Sequence, residues 1–232
     1  MRKTTRWRRV LQFGVFYLLM AAGVSLMLAA SLSYVELGDE HPFFLEKLPL
    51  ANPQLWLTAL YVHVPSSLFA LPATLWLSSP RLGTRFPRLH RYLGRFTALL
   101  VLFASVPSGC YLALFAQGGA ITTLGFWLTG AIAATAMVMA VRAARTGEFK
   151  AHRHYSRHVA AQLSVAVFSR FALVAAEYAE IYDSWVYVAA LWVPVVACAL
   201  FVELTTGRIS TPSPKGSRHE VLAAVSSLDA VR

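Results

Sequence analysis

Two ionisable residues of this chain fall inside long apolar runs. His63 lies in the run from about 55 to 77, and Arg170 lies in the run from about 159 to 179. Ionisable side chains at membrane depth are costly, usually face the interior of a helix bundle, and often mark ligand sites or proton paths. At 1.5 Å of rise per residue, His63 lies roughly 12 Å and Arg170 roughly 10 Å below the same predicted outer edge. We therefore expect both in the outer half of the membrane.

Hydroxyl side chains accompany these two residues. Ser66 and Ser67 follow His63 within about one helical turn, while Ser105 and Ser108 share one face of the next span at a comparable depth. A ligand or cofactor pocket is therefore expected there, with these members: His63, Ser66, Ser105, Ser108, Arg170 and Glu177. In the alternative, Arg170 pairs with Glu177 and His63 bonds a serine, and these contacts only tie helices together.

Prolines interrupt the predicted spans near the same level. Each proline lacks an N–H, so it frees the carbonyl four residues earlier and kinks its helix. Freed carbonyls beside a buried histidine are typical of helices that line a hydrated or ligand-filled cavity. The prolines concerned are Pro65, Pro72 and Pro107.

A second group of histidines lies at the predicted cytoplasmic edge and comprises His90, His152, His154 and His158. A heme held by two histidines needs imidazoles from separate helices at one depth. His90, before the third span, and His158, at the start of the fifth, meet this condition. The candidate heme or metal ligands are thus His90, His152 and His158, and in the alternative these histidines are solvated interface residues. His63 has no histidine partner at its depth, so the sequence does not support a two-heme pattern.

Membrane-spanning helices must position these residues. The 232 residues are 57% hydrophobic and only 14% charged, and the mean hydropathy is +0.54. A soluble domain carries about 25% charged residues, so lipid is the expected solvent. Cys110 and Cys198 lie in apolar runs without metal-ligand spacing, so we expect them to be packing residues.

An all-α bundle of six spans is predicted, at about residues 10–35, 55–77, 96–115, 124–141, 159–179 and 185–202. The membrane domain is residues 1–204, and residues 205–232 form a flexible cytoplasmic tail.

The basic residues predict the orientation of these spans. With six spans, 19 of the 21 Lys and Arg residues fall on one side, which the positive-inside rule makes cytoplasmic. Both termini are then cytoplasmic in a multi-pass protein of the bacterial inner membrane. The net charge of +10 reflects this topology and attraction to anionic headgroups. The predicted partner is therefore the lipid bilayer, with no nucleic acid.

Several short motifs resemble one family in order and spacing. The stretch from Pro87 to Arg95 contains His-Arg-x-x-Gly-Arg, and His63 lies in the preceding span. Further along come Ser108-Gly109, Gly118-Gly119, Gly125-Phe126, His152-Arg153-His154-Tyr155 and Arg170. Over roughly residues 60–175 this series resembles the domain of unknown function 2306 family of bacterial predicted membrane proteins. The chain departs from it at Tyr155-Ser156 and His158, where the family tends to have Trp-Met and then arginine. The resemblance implies a multi-span membrane architecture and brings no established activity.

Three classes of function are compatible with these features. The first is a redox component linked to heme b or a quinone, because histidines occur at both depths beside an arginine that could neutralise a propionate. The second is an accessory or assembly subunit that binds other membrane subunits. The third is a transporter of a small ligand, with broken helices around His63 and Arg170. Hydrolase motifs such as HExxH, GxSxG and a Walker loop are missing from the sequence.

Overall fold

The computed structural model describes residues 2–32, 45, 47 and 49–206, and every regular element within those ranges is helical. In chain order the helices are α1 (Arg2–Leu32), α2 (Pro53–Leu77), α3 (Pro80–Arg85), α4 (Pro87–Phe115), α5 (Ala120–Arg145), α6 (Phe149–Tyr178) and α7 (Ser184–Thr206). The predicted all-helical membrane fold is therefore confirmed.

Five of the described helices are long and apolar enough to cross a bilayer, namely α2, α4, α5, α6 and α7. They match the last five predicted spans. The apolar part of α1 is shorter, at Gly14–Ala29, so the count of six spans and the cytoplasmic placement of both termini stay predictions. Most of the predicted tail, residues 207–232, lies outside the described residues.

The helix boundaries follow local sequence chemistry. Pro53 occupies the first turn of α2, where its missing N–H costs nothing, and the Asn52 side chain caps the helix by accepting from the Leu55 N–H at 3.0 Å. Gly118 and Gly119, between α4 and α5, have φ of 82° and 64°. Only glycine adopts such a conformation without steric cost, so the tight turn between these helices requires this pair.

Helix α4 is irregular in the middle. Its α-helical segments, Pro87–Leu100 and Val106–Leu112, are separated by a π-helical turn over Val101–Ser105, in which the Val106 N–H donates to the Val101 carbonyl five residues back. Pro107 follows and cannot donate to the Phe103 carbonyl. Single π turns inside α-helices occur frequently at functional sites.

Helix α6 is the centre of the bundle. It packs against α1, α2, α5 and α7, whereas all its Cα atoms stay more than 8 Å from those of α4. Small side chains allow close packing where lipid provides no hydrophobic driving force between helices. The buried alanines of α5 illustrate this: Ala133, Ala136, Ala140 and Ala143. The helix that carries Arg170 thus contacts most of the others.

Candidate functional site

The structure places His63 of α2 against the irregular part of α4. The His63 Nδ1 atom lies 2.9 Å from the main-chain carbonyl oxygen of Ser105. Because a carbonyl oxygen can only accept, Nδ1 carries the proton, and Nε2 has the lone pair. The Ser67 hydroxyl is 3.5 Å from Nε2, too far for a strong hydrogen bond. Nε2 therefore remains an acceptor for a further donor.

The serines around this imidazole form a small network. The Ser67 and Ser105 hydroxyls are 2.7 Å apart, and the Ser108 hydroxyl lies 3.4 Å from His63 Nδ1 while it donates to the Ala104 carbonyl. Ser66 instead donates to the carbonyl of His63 at 3.0 Å. The structure thus brings together His63 and the three predicted serines, and it adds Ser67 as a direct neighbour of the ring.

A glycine lets the two helices approach at this point. A Cβ on Gly109 would lie 2.7 Å from Cε1 and 3.0 Å from Nδ1 of His63, far closer than ordinary van der Waals contact. Only a glycine leaves room for the ring, which explains the Ser108-Gly109 pair in physical terms.

Arg170 and Glu177 lie apart from this cluster in the part of the chain that the structure describes. Both side chains are exposed on the protein surface, and neither has a hydrogen bond or ion pair with the other or with His63 among the described residues. Their membership of the pocket stays a prediction.

Gln162 links three helices near the middle of the bundle. It is 3% exposed, accepts a hydrogen bond from the Thr129 hydroxyl of α5, and donates to the Val195 carbonyl of α7 at 3.4 Å. In lipid such contacts tie helices together, because an unpaired amide has no water to bond. Thr129 has no signal in the sequence that separates it from the other threonines of that span.

At the predicted cytoplasmic edge, the imidazoles of His90 on α4 and His152 on α6 are close neighbours. Their ring centres are 6.3 Å apart and their planes make an angle of 77°. The His152 Nδ1 atom donates to the Ala140 carbonyl at 2.9 Å, while the buried Nδ1 of His90 has no hydrogen-bond partner in the described ranges.

His158 does not pair with His90. It lies on the opposite side of α6, where its Nε2 atom is 2.8 Å from Oε1 of Glu203 on α7. His154 points to the same carboxylate, at 3.6 Å. Glu203 was not among the predicted site residues, because a carboxylate near the end of the last span is usually an ordinary solvated charge.

Comparison with known proteins gives a family without a described activity. No curated protein and no solved structure matches the chain. A family model described as "Predicted membrane protein (DUF2306)" matches residues 60–205, which extends the resemblance found in the sequence to include α7. The match covers more than half of the chain and contains His63, the four histidines from His90 to His158 and Glu203. The chain therefore belongs to the domain of unknown function 2306 family of predicted membrane proteins.

Proposed function

We propose that this multi-span membrane protein is a redox component that holds a heme b between His90 and His152. The observation that carries the proposal is the approach of these two imidazoles from separate helices. Their ring centres are 6.3 Å apart, although no Cα of Pro87–Leu100 comes within 8 Å of one in Phe149–Tyr178. The two side chains thus meet although the backbones of the two helices are not in direct contact.

The residues present fit an axially ligated metal. With metal–nitrogen bonds of about 2 Å, two imidazoles on opposite sides of one ion have ring centres roughly 6 Å apart. The hydrogen bond from His152 Nδ1 to the Ala140 carbonyl fixes the tautomer that leaves Nε2 unprotonated, and such outer contacts typically orient metal-binding histidines. The unpartnered Nδ1 of His90 leaves that ring free to ligate.

An open groove of about 520 Å³ lies along residues 85–89, immediately before His90 in the sequence, and its lining includes Arg85 and Arg88. Guanidinium groups form strong paired hydrogen bonds with carboxylates. Arg88 is offset from His90 by about 200° around the helix, so Arg85 is the arginine of this groove that we propose for a heme propionate.

A heme held in this way would supply one-electron transfer. With His90 and His152 both holding the iron, electron transfer would be favoured over chemistry on a bound substrate. The chain would contribute the two ligands, Arg85 for a propionate, and a helix bundle that keeps the group at the membrane surface.

The test is an absorption spectrum of the full-length protein, produced with a heme precursor, purified in detergent and recorded oxidised and dithionite-reduced. We expect a Soret band and a sharp reduced α band that are lost in both His90→Ala and His152→Ala. The matched control is Lys150→Ala, an exposed position two residues before His152 on α6, which should keep the spectrum. A wild-type protein without Soret absorbance, or with a spectrum that survives both ligand substitutions, would overturn the proposal.

A second candidate function is quinol or small-ligand binding at His63. It is favoured by the lone pair on His63 Nε2, which can accept a hydrogen bond from a ligand hydroxyl but cannot donate to a carbonyl. A quinol should therefore bind better than the corresponding quinone. The test is the thermal shift caused by a short-chain ubiquinol compared with its quinone, in the wild type and in His63→Ala. Equal shifts for both forms, or a shift that the substitution leaves unchanged, would contradict this candidate.

A further inference from the structure

Helix α6 carries a second polar group on the side that faces α7. His154 and His158 are four residues apart and so lie one above the other on the helix surface. His152 is offset from His154 by two residues, about 200° around the helix. The pair is therefore separate from the His90–His152 contact.

A carboxylate completes this cluster from the neighbouring helix. Glu203 lies in the last turn of α7, and its Oε1 atom is 2.8 Å from His158 Nε2 and 3.6 Å from His154 Nε2. The three ligand atoms all lie within 4.8 Å of one another. The centres of the two imidazole rings are 4.8 Å apart and their planes make an angle of 75°. The Nε2 atoms of both rings thus approach the same oxygen atom of Glu203.

The hydrogen bonds of the protein do not satisfy these two rings. His154 and His158 are 7% and 8% exposed, and the Nδ1 atom of each is buried without a partner among the described residues. The Nε2 atoms of both rings approach Oε1 of Glu203, so the nitrogens available to a shared ligand are the two Nε2 atoms.

We propose that His154, His158 and Glu203 bind a transition-metal ion of the Zn²⁺ class. Zinc takes imidazole nitrogen and carboxylate oxygen at about 2.0–2.2 Å, so its ligand atoms lie roughly 3–4 Å apart. The separations here need only small side-chain rotations to meet that geometry. Two histidines and one glutamate leave the fourth tetrahedral position open to water or an exchangeable ligand.

The surroundings of the cluster give the ion a route in. The Glu203 side chain is 60% exposed, so an ion can reach its carboxylate from outside the protein while both imidazoles are buried. Arg157 borders the site and donates to the Thr206 hydroxyl at 3.3 Å. Its positive charge disfavours a bare cation and favours an anionic fourth ligand such as hydroxide or chloride.

The direct test is calorimetric titration of the EDTA-treated, full-length protein in detergent with Zn²⁺ near neutral pH. We expect one ion per chain, with affinity at least about tenfold weaker in His154→Ala, His158→Ala and Glu203→Gln. Cobalt(II) substituted into the wild type should give the intense visible bands of a tetrahedral site. The matched control is Glu148→Gln, which removes an exposed carboxylate at the start of the same helix and should bind zinc as the wild type does.

Glu203→Gln keeps the proposal testable if a histidine substitution disturbs folding, since glutamine keeps the shape of the side chain and an acceptor for His158. Melting curves without metal show whether each variant is folded, and zinc should raise the melting temperature of the wild type but not of Glu203→Gln. Unchanged zinc affinity and stoichiometry in folded Glu203→Gln, or in the His154→Ala/His158→Ala double variant, would overturn the assignment. So would a wild-type protein that binds no zinc.

Discussion

The Nδ1 atom of His63 donates to the main-chain carbonyl of Ser105, 42 positions away in the sequence, at 2.9 Å. This bond joins α2 to the π-helical turn of α4. It also fixes which nitrogen of the ring carries the proton, and so determines what the cluster around His63 can bind.

Substitution of Gly109 should disturb this bond. A Cβ there would come within 3.0 Å of the His63 ring, so Gly109→Ala should displace the imidazole and destabilise the protein by about 1–3 kcal/mol through overpacking. Thermal unfolding in detergent measures the effect. Gly94→Ala is the control on the same helix, because a Cβ at Gly94 meets nothing within 4 Å and should be neutral or stabilising. Equal melting temperatures for the two variants would contradict this packing.

Removal of the Thr129 hydroxyl should weaken the contact between α5 and α6. Thr129→Val leaves the buried amide oxygen of Gln162 without its donor. Hydrogen bonds between helices in membranes contribute about 0.6 kcal/mol on average and at most roughly 1.7 kcal/mol, so the free energy of unfolding should fall by an amount in this range. The same substitution at exposed Thr135, on the same helix, provides the control and should change the melting temperature little. If both variants melt alike, the hydrogen bond contributes no measurable stability.

Gly23 tests the docking of α1 on the bundle. A Cβ at Gly23 would lie 2.2 Å from Cγ1 of the fully buried Val167 on α6, so Gly23→Ala should lower stability by about 1–3 kcal/mol. Combining it with Val167→Ala should recover part of this loss, because the double variant removes the clash. Gly14→Ala, where a Cβ meets nothing, should be tolerated. A double variant whose effects simply add would show that the two residues do not touch.

The orientation of α1 can be measured with a thiol reagent that does not cross membranes. In right-side-out vesicles of a chain in which Cys110 and Cys198 are replaced, Ala51→Cys, at an exposed position just before α2, should be labelled directly. Thr4→Cys should be labelled only after permeabilisation. This pattern follows if α1 crosses the membrane with a cytoplasmic N-terminus. Thr146→Cys, between α5 and α6, reports the cytoplasmic side as a control. Labelling of Thr4→Cys in intact vesicles would show that α1 does not cross the membrane as predicted.

Zinc binding should weaken as the pH falls. A protonated imidazole cannot ligate a metal, so protons and zinc compete for the same ring nitrogens. The charged groups at the site are His154, His158 and Arg157 from α6 and Glu203 from α7. Affinity measured by calorimetry should therefore be lower at acidic pH than at neutral pH. Equal affinities at the two would show that the histidines are not ligands.

The spans were readable from the sequence because hydropathy and helix length are properties of contiguous residues. The five helices that can cross a bilayer overlap the last five predicted spans, although α4 begins nine and α6 ten residues before the predicted start. The placement of His63 beside Ser105 and Ser108 followed from depth alone, since residues at one level of neighbouring helices can meet.

The other contacts of the candidate sites could not be predicted, because they depend on which face of each helix packs against which neighbouring helix. Periodicity puts His154 and His158 on one face of α6, yet nothing in the sequence pattern selects Glu203, 45 residues after His158, as their partner. Arg170 likewise falls in an apolar run, and its exposed position could not be foreseen because the sequence does not say how α6 is rotated in the bundle.

The π turn of α4 also sets the angular phase between the two ends of that helix. An α-helix rotates about 100° per residue, and the turn at Val101–Ser105 accommodates one residue more than regular α-helix would. A chain shorter by that one residue would lose the π turn, while Pro107 would still kink the helix. It would also turn the His90 end by roughly a quarter of a revolution relative to Ser108, so the His63 cluster and the His90–His152 contact could not both keep their present partners.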